Sequence, residues 1–461
     1  MYYLTGISAL LLATATMTGT CVSAAATSTS SGVLAVQSPT WLPDFPIPKG
    51  ASLSYPTGPL NISETLSAKK LNLSAYPTPW KSPSIDHPEI KAVIAAIDWD
   101  KVPKAPVQKS TPNGDIDMSS YDEANDPYCW WSNTNCVKPK ASYLPDDIHH
   151  CPRAGDWGLN FDDGPFNPTG DKNIDKWAEP ELYNYLAKTE NQKSTLFYIG
   201  SNVATYPEAA KRALNDGHVL CVHTWSHPQM TTQTNEKVVA ELYWTLRAIK
   251  EATGVTTKCW RPPYGDVDDR VRAIAWQMGL QTILWDEDTN DWDMPGEGGG
   301  NLPPSTVNGY FENWIAVRKN GKDNKTGHIV LQHELNNSTV SMAEKWLPKL
   351  QKTFNVVTIQ ECMNISQPYW ETNWVYPTEK DPLTNTSTTI VSTTAITSSS
   401  PTTTNMATPN PSTTDIIDVA AESSAVNNLA NTQSMHSAAT TVKATSIGSL
   451  LTIFILMSYL L

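Results

Sequence analysis

The sequence predicts an α/β protein, a distorted and incomplete (β/α) barrel of about seven parallel strands. Between residues 157 and 362, short apolar runs alternate with amphipathic stretches of helical period, as in repeated strand–helix units. Clusters of Asp and His stand directly after those runs, at the strand ends where a barrel builds its working face. Neither end of the chain shows this alternation: an irregular N-terminal extension precedes the barrel, and a Ser/Thr-rich tail, expected to be disordered, follows it.

Taken in order, the expected strands are 157–161, 194–199, 218–223, 257–261, 281–285, 328–333 and 356–360, each a short apolar run. Amphipathic helices are expected over 235–252, 267–279, 305–319 and 340–353. The extension, residues 25–152, is rich in Pro, Ser and Trp ("WLPDFPIPKG", "YPTPWKSPS") and poor in periodicity, so it reads as extended or partly ordered chain. The catalytic domain is assigned to 153–365. Residues 366–437 have the Ser/Thr/Pro composition of an O-glycosylated stalk, which cannot bury a core.

Both termini read as processing signals. Residues 1–24 hold an apolar run at 7–15 followed by small residues ending Val22-Ser23-Ala24, a secretory signal too short to span a bilayer. The apolar stretch 447–461, preceded by a polar spacer and the small residues Ser437, Ala438 and Ala439, has the layout of a glycosylphosphatidylinositol (GPI) attachment signal. Ser437 is the expected attachment residue and 438–461 the propeptide removed, leaving the protein on the outer membrane face. Asn61, Asn72, Asn324, Asn336, Asn337, Asn364 and Asn385 begin glycosylation sequons.

Of the seven cysteines, Cys21 falls in the signal, and the even set that remains suits an oxidising compartment. Sequence leaves the connectivity open. Neighbouring strands favour Cys151 with Cys362 and Cys221 with Cys259, and Cys129 with Cys136 would then pin a loop. The net charge of -13, with no basic run, argues against nucleic-acid binding and fits a soluble surface.

Five segments carry chemistry. "NFDDGP" places Asp162 and Asp163 after the first strand, where one acid can bind a metal and the other act as a base, though Asp-Asp-Gly is also good turn chemistry. "HTWSH" sets His223 and His227 four apart at the end of the third strand, able to meet one cation with an acidic third ligand. In "RPPYG", prolines fix the backbone so that the Tyr264 amide can face a developing oxyanion, and Arg261 can hold a carboxylate. "DTNDW" contributes acids, and "IVLQHE" puts His333 at a strand end, where a paired acid would keep it protonated. His218 and His328 stand at strand starts, on the opposite face, and read as structural.

In this order and spacing the five segments resemble the polysaccharide deacetylase family (carbohydrate esterase family four, the NodB homology domain), most closely its fungal chitin deacetylases. The resemblance covers about residues 156–362. It implies a divalent ion, zinc or cobalt, held by Asp163, His223 and His227, with Asp162 as general base, His333 as general acid and the Tyr264 amide as oxyanion donor. It also implies that Arg261 steadies Asp162, Asp291 tunes His333, and Trp292 with Leu331 shapes the acetyl pocket. Asn160 stands where the family often has Thr, and Glu334 where it usually has Asp.

The expected reaction is metal-dependent removal of N-acetyl groups from chitin or chitin oligosaccharides at the cell wall. The same residues serve acetylxylan esterases and other polysaccharide deacetylases. A wall mannoprotein that only binds glycans would share the stalk and the sequons but has no need of both carboxylates and all three imidazoles.

Overall fold

The computed structural model describes residues 39–58, 66, 67, 69–166 and 181–378. The secretory signal, Cys21, Asn61, Asn385, the stalk beyond residue 378, Ser437 and the propeptide lie outside the described residues.

Among the described residues the strands are β1 (Asp156–Asp162), β2 (Thr195–Tyr198), β3 (Val219–Val222), β4 (Cys259–Trp260), β5 (Gln281–Thr282), β6 (Glu287–Asp288), β7 (Val330–Leu331) and β8 (Asn355–Thr358); all but β6, which was not expected, fall on the seven expected runs in order. A six-stranded sheet has the order β5-β4-β3-β2-β1-β8, and β6 pairs with β7; every one of these pairings is parallel. The segment that leaves β5 continues into β6, and parallel bridges Trp157 to His328 and Asp162 to His333 return the pairing to β1. The sheet therefore curls, and the segment containing β7 lies back against β1. That curl brings residue 162 beside residue 333, which chain distance alone would never suggest.

Around the sheet lie α1 (Pro88–Ala96), α2 (Trp131–Thr134), α3 (Glu181–Lys188), α4 (Gly200–Thr205), α5 (Pro207–Asn215), α6 (Asn235–Thr253), α7 (Asp269–Gln277), α8 (Pro304–Lys319), α9 (Asn337–Leu350) and α10 (Ile359–Cys362). Helix α6 shows why these boundaries form. The Thr234 hydroxyl accepts from Lys237 N–H at its start, and Gly254, at φ 86°, donates back to Lys250 O at its end. The four helices expected from periodicity are α6 to α9. Of those not foreseen, α1 and α5 each open on a proline at the first helical position, a start signal that was there to be read. Among the described residues no helix is long and apolar enough to cross a membrane.

Two segments outside the strand–helix alternation also pack on it. The extension has few regular elements, yet Ile90, Val93, Leu144 and Cys151 are buried in the same core as the strands, and Ile148 bridges Ile283 beside β5. At the other end, residues 366–378, assigned above to the stalk, pack as well. Tyr369, Trp374 and Tyr376 are buried, and the Tyr369 hydroxyl accepts from Leu220 N–H in β3 (2.9 Å). Large aromatic side chains can fill a core from irregular backbone, so the absence of periodicity did not mean absence of packing.

The disulfides join Cys129 to Cys136, Cys151 to Cys362 and Cys221 to Cys259, the pairing expected. Asn336 needs correction as a glycosylation residue: it is fully buried. Its side-chain oxygen caps α9 by accepting from Ser338 and Thr339 N–H, and its amide donates to Glu297 O (3.1 Å). Asn72, Asn324 and Asn337 are exposed, and Asn364 is half-buried.

Candidate active site

The site gathers at the C-terminal ends of β1, β3, β4 and β7. At the end of β1, Asp162 is buried and accepts from Arg261 Nη1 (2.7 Å). Arg261 itself is fully enclosed. It donates to Asn160 Oδ1 (2.6 Å) and to the Leu284 carbonyl (3.0 Å), and its guanidinium carbon lies 4.0 Å from the centre of the Phe197 ring. A buried guanidinium with this many fixed acceptors holds one carboxylate oxygen in a single place. Asn160 thereby gains a role the sequence did not reveal: its amide anchors to Gly158 O and Val330 O while its oxygen aims the arginine.

Asp163 follows in the left-handed region at φ 77°, and its carboxylate meets two imidazoles. Its Oδ1 lies 3.5 Å from His223 Nε2 and 3.4 Å from His227 Nε2, and the three ligand atoms all stand within 4.8 Å of one another. The tight turn between the histidines, with positive φ at Thr224 and His227, brings both rings to the same point. His223 Nδ1 contacts Arg261 O (2.8 Å), which assigns the proton to Nδ1 and leaves Nε2 as a lone-pair donor. Burial pushes the His227 imidazole down to about 4 against the opposing pull of the Asp163 carboxylate, so its ring is neutral and suited to coordinate.

The cluster fits a divalent cation on an observation independent of any motif. Asp163 Oδ1 is buried and has no hydrogen-bond partner among the described residues, which is costly for a carboxylate unless a cation meets it. Burial would raise the Asp163 carboxyl, but the surrounding histidines hold it below the usual carboxylate range. Two imidazoles and one carboxylate form the three-ligand set that leaves coordination positions open.

Across the site, His333 Nδ1 is 2.6 Å from Asp291 Oδ1, and the same carboxylate accepts from His333 N–H (3.0 Å). Burial alone would lower this imidazole; Asp291, helped by Asp163 and Asp162, raises it to about 10 and keeps it protonated. Tyr264 occupies the left-handed region (φ 59°, ψ 11°), its ring 4.7 Å from that of His227. Trp292 follows Asp291 with its side chain exposed, and Leu331 is buried in β7.

Several contributors escaped the sequence reading. Asn202 donates to Asp163 O (2.8 Å), and Thr224 Oγ1 accepts from His227 N–H. Glu241 accepts from Trp225 and Ser226 N–H, holding the turn between the two histidines. Only the last had a visible signal, an acidic residue within a largely buried stretch of α6.

The polysaccharide deacetylase family model matches residues 149–283. The chain is 42% identical over 305 residues to a chitin deacetylase of Amylomyces rouxii, which covers 65% of this chain and 69% of the relative. It is 41% identical over 311 residues to chitin deacetylase 2 of Cryptococcus neoformans, covering 66% and 65%. The chain thus spans about two thirds of the length of these relatives. A solved chitin deacetylase from Colletotrichum lindemuthianum is similar at 25% identity with a TM-score of 0.40, over 48% of this chain and 92% of that one. The identity to the Amylomyces relative, over 69% of its length, places the chain in a known group: it belongs to the polysaccharide deacetylase family.

Proposed function

We propose that this protein hydrolyses the N-acetyl groups of chitin, releasing acetate and leaving glucosamine units. The observation that carries the reading is the convergence of Asp163, His223 and His227 on one point, between the Arg261-held Asp162 and the Asp291-held His333. Chitin as the polymer rests on the relatives, which carry that substrate in their names.

Asp163, His223 and His227 hold the divalent ion, zinc or cobalt. Bound there, such an ion polarises an amide carbonyl and acidifies water. Asp162, aimed by Arg261, takes the proton from the attacking water. The Tyr264 N–H faces the oxyanion of the tetrahedral intermediate. His333, kept protonated by Asp291, gives its proton to the departing sugar amine. Trp292 and Leu331 border the acetyl group.

The three disulfides support an oxidising compartment, in keeping with secretion to the cell wall. A GPI anchor at Ser437 belongs to the same proposal and is tested by release of the protein from cells with a phosphatidylinositol-specific phospholipase.

The direct test measures acetate release from a chitin oligosaccharide and from acetylxylan, with metal supplied and then chelated. Chelator-sensitive release from the chitin oligomer is expected. Asp162→Asn should retain one metal per chain while kcat falls about 10²- to 10⁴-fold, the usual worth of a general base. Near-normal turnover by that variant would refute the role of Asp162, and silence of the metal-loaded wild type on both substrates would refute the enzymatic reading.

A further inference from the structure

The turn that carries Tyr264 is held largely from outside residues 149–283, the stretch that the family model matches. A left-handed tyrosine is strained, and such a conformation persists only where its surroundings over-determine it. Here the surroundings are the loop closed by Cys129 and Cys136. Gly265, itself at φ 69°, lies so close to Trp131 that a β-carbon would stand 2.2 Å from the indole Cζ3. The Trp131 ring meets Trp285 edge-on with centroids 4.6 Å apart, and Trp285 lies 5.5 Å from the Arg261 guanidinium.

Asp266, the next residue, is fully buried and joins three segments. Its Oδ1 accepts from Trp130 Nε1 (2.9 Å) and Ser132 Oγ (2.8 Å) in the disulfide loop. Its Oδ2 accepts from Thr231 N–H (2.7 Å) and Oγ1 (2.8 Å), four residues beyond the ligand His227. Trp131 N–H closes the arrangement by donating to Val267 O (3.0 Å). A buried carboxylate with four donors is a rigid joint, because losing any donor leaves charge uncompensated.

We infer that the disulfide loop 129–136 is a positioning element for catalysis: Trp131, seated on Gly265, and Asp266, bonded to Trp130, Ser132 and Thr231, hold the Tyr264 amide in the orientation the oxyanion requires. The inference rests on the deacetylation reading given above. Both are positioning residues, acting through the turn and touching no substrate.

The experiment compares wild type, Trp131→Ala, Trp131→Phe and Ser132→Ala as metal-loaded full-length protein acting on a chitin oligosaccharide. Trp131→Ala should lower kcat between about ten- and a hundredfold, up to the cost of a group misplaced by roughly 1 Å and short of the larger loss expected for a missing donor. KM should change less than about twofold, with metal stoichiometry and the pH limbs of kcat/KM unmoved, since no ligand or proton carrier is altered. Trp131→Phe, which keeps a ring over Gly265, should recover most of the rate. Should Trp131→Ala not fold, Ser132→Ala decides, with kcat expected to fall about threefold for one lost donor at unchanged metal content. Wild-type kcat in a folded Trp131→Ala, or in Ser132→Ala, overturns the inference, as does a loss that comes with shifted pH limbs or lost metal. A wild type that binds metal yet releases no acetate would instead fail the functional reading itself.

Discussion

His328 and His333 bracket one strand segment, and each is bound through Nδ1 to an aspartate of the segment 286–291, at 2.7 Å from Asp286 and 2.6 Å from Asp291. Both imidazoles are raised against the effect of their burial, to about 9 and about 10. The difference lies in the second nitrogen. His328 Nε2 faces Asp323 Oδ1 at 3.2 Å, so both of its nitrogens are committed to the protein. His333 Nε2 has no protein partner among the described residues and is left for the site. A His–Asp pair is therefore not a catalytic signature. What matters is which end of the strand it occupies and whether one nitrogen stays available.

That contrast can be broken most directly at His333. His333→Ala is expected to lower kcat by about 10²- to 10⁴-fold with metal content unchanged; a loss of less than tenfold would erase the distinction between the two histidines. Asp291→Asn sharpens it. The aspartate raises His333, so its removal lowers the pKa, and the alkaline limb of kcat/KM should move down by about one unit or more. An unmoved limb would mean that His333 does not carry the titrating proton.

The smallest catalytic effect is expected at the other end, where His328→Gln should leave kcat/KM within about twofold of wild type. Stability should respond instead. The folded pKa of His328 lies near 9, above the ordinary 6.5, so its contribution is fully present below about pH 6.5 and disappears as pH rises through 9. The shift corresponds to no more than about 3 kcal/mol. Thermal unfolding should show the variant destabilised at pH 6 and converging on wild type near pH 10; equal melting temperatures at pH 6 would remove the structural role.

Much of the site was legible because its parts are local. Each ligand or proton carrier stands within a few residues of an apolar run, and the order of the runs matches the order of β1, β3, β4 and β7. His328 could be set aside as structural for the same reason, since it precedes its run. The partners were harder to see. Asp291 and His333 are 42 residues apart, and Asp162 and Arg261 are 99 apart; both pairs depend on the closure of the sheet. The extension reads as extended or partly ordered chain, and which of its side chains pack, as Leu144 does in the core and Trp131 does against Trp285, has no periodic signal in the sequence.

What the sequence determined by itself was the alternation of strands and helices, the chemical groups at the strand ends and their order, because these follow from period and side-chain type within short windows. Only the tertiary structure decided which groups face one another. The curl of the sheet set His333 beside Asp162, left-handed backbone at Asp163, His227 and Tyr264 aimed the side chains and the turn, and an irregular aromatic loop came to rest on Gly265. Those outcomes depend on long-range closure and on strain held by distant contacts, and neither leaves a periodic trace in the chain.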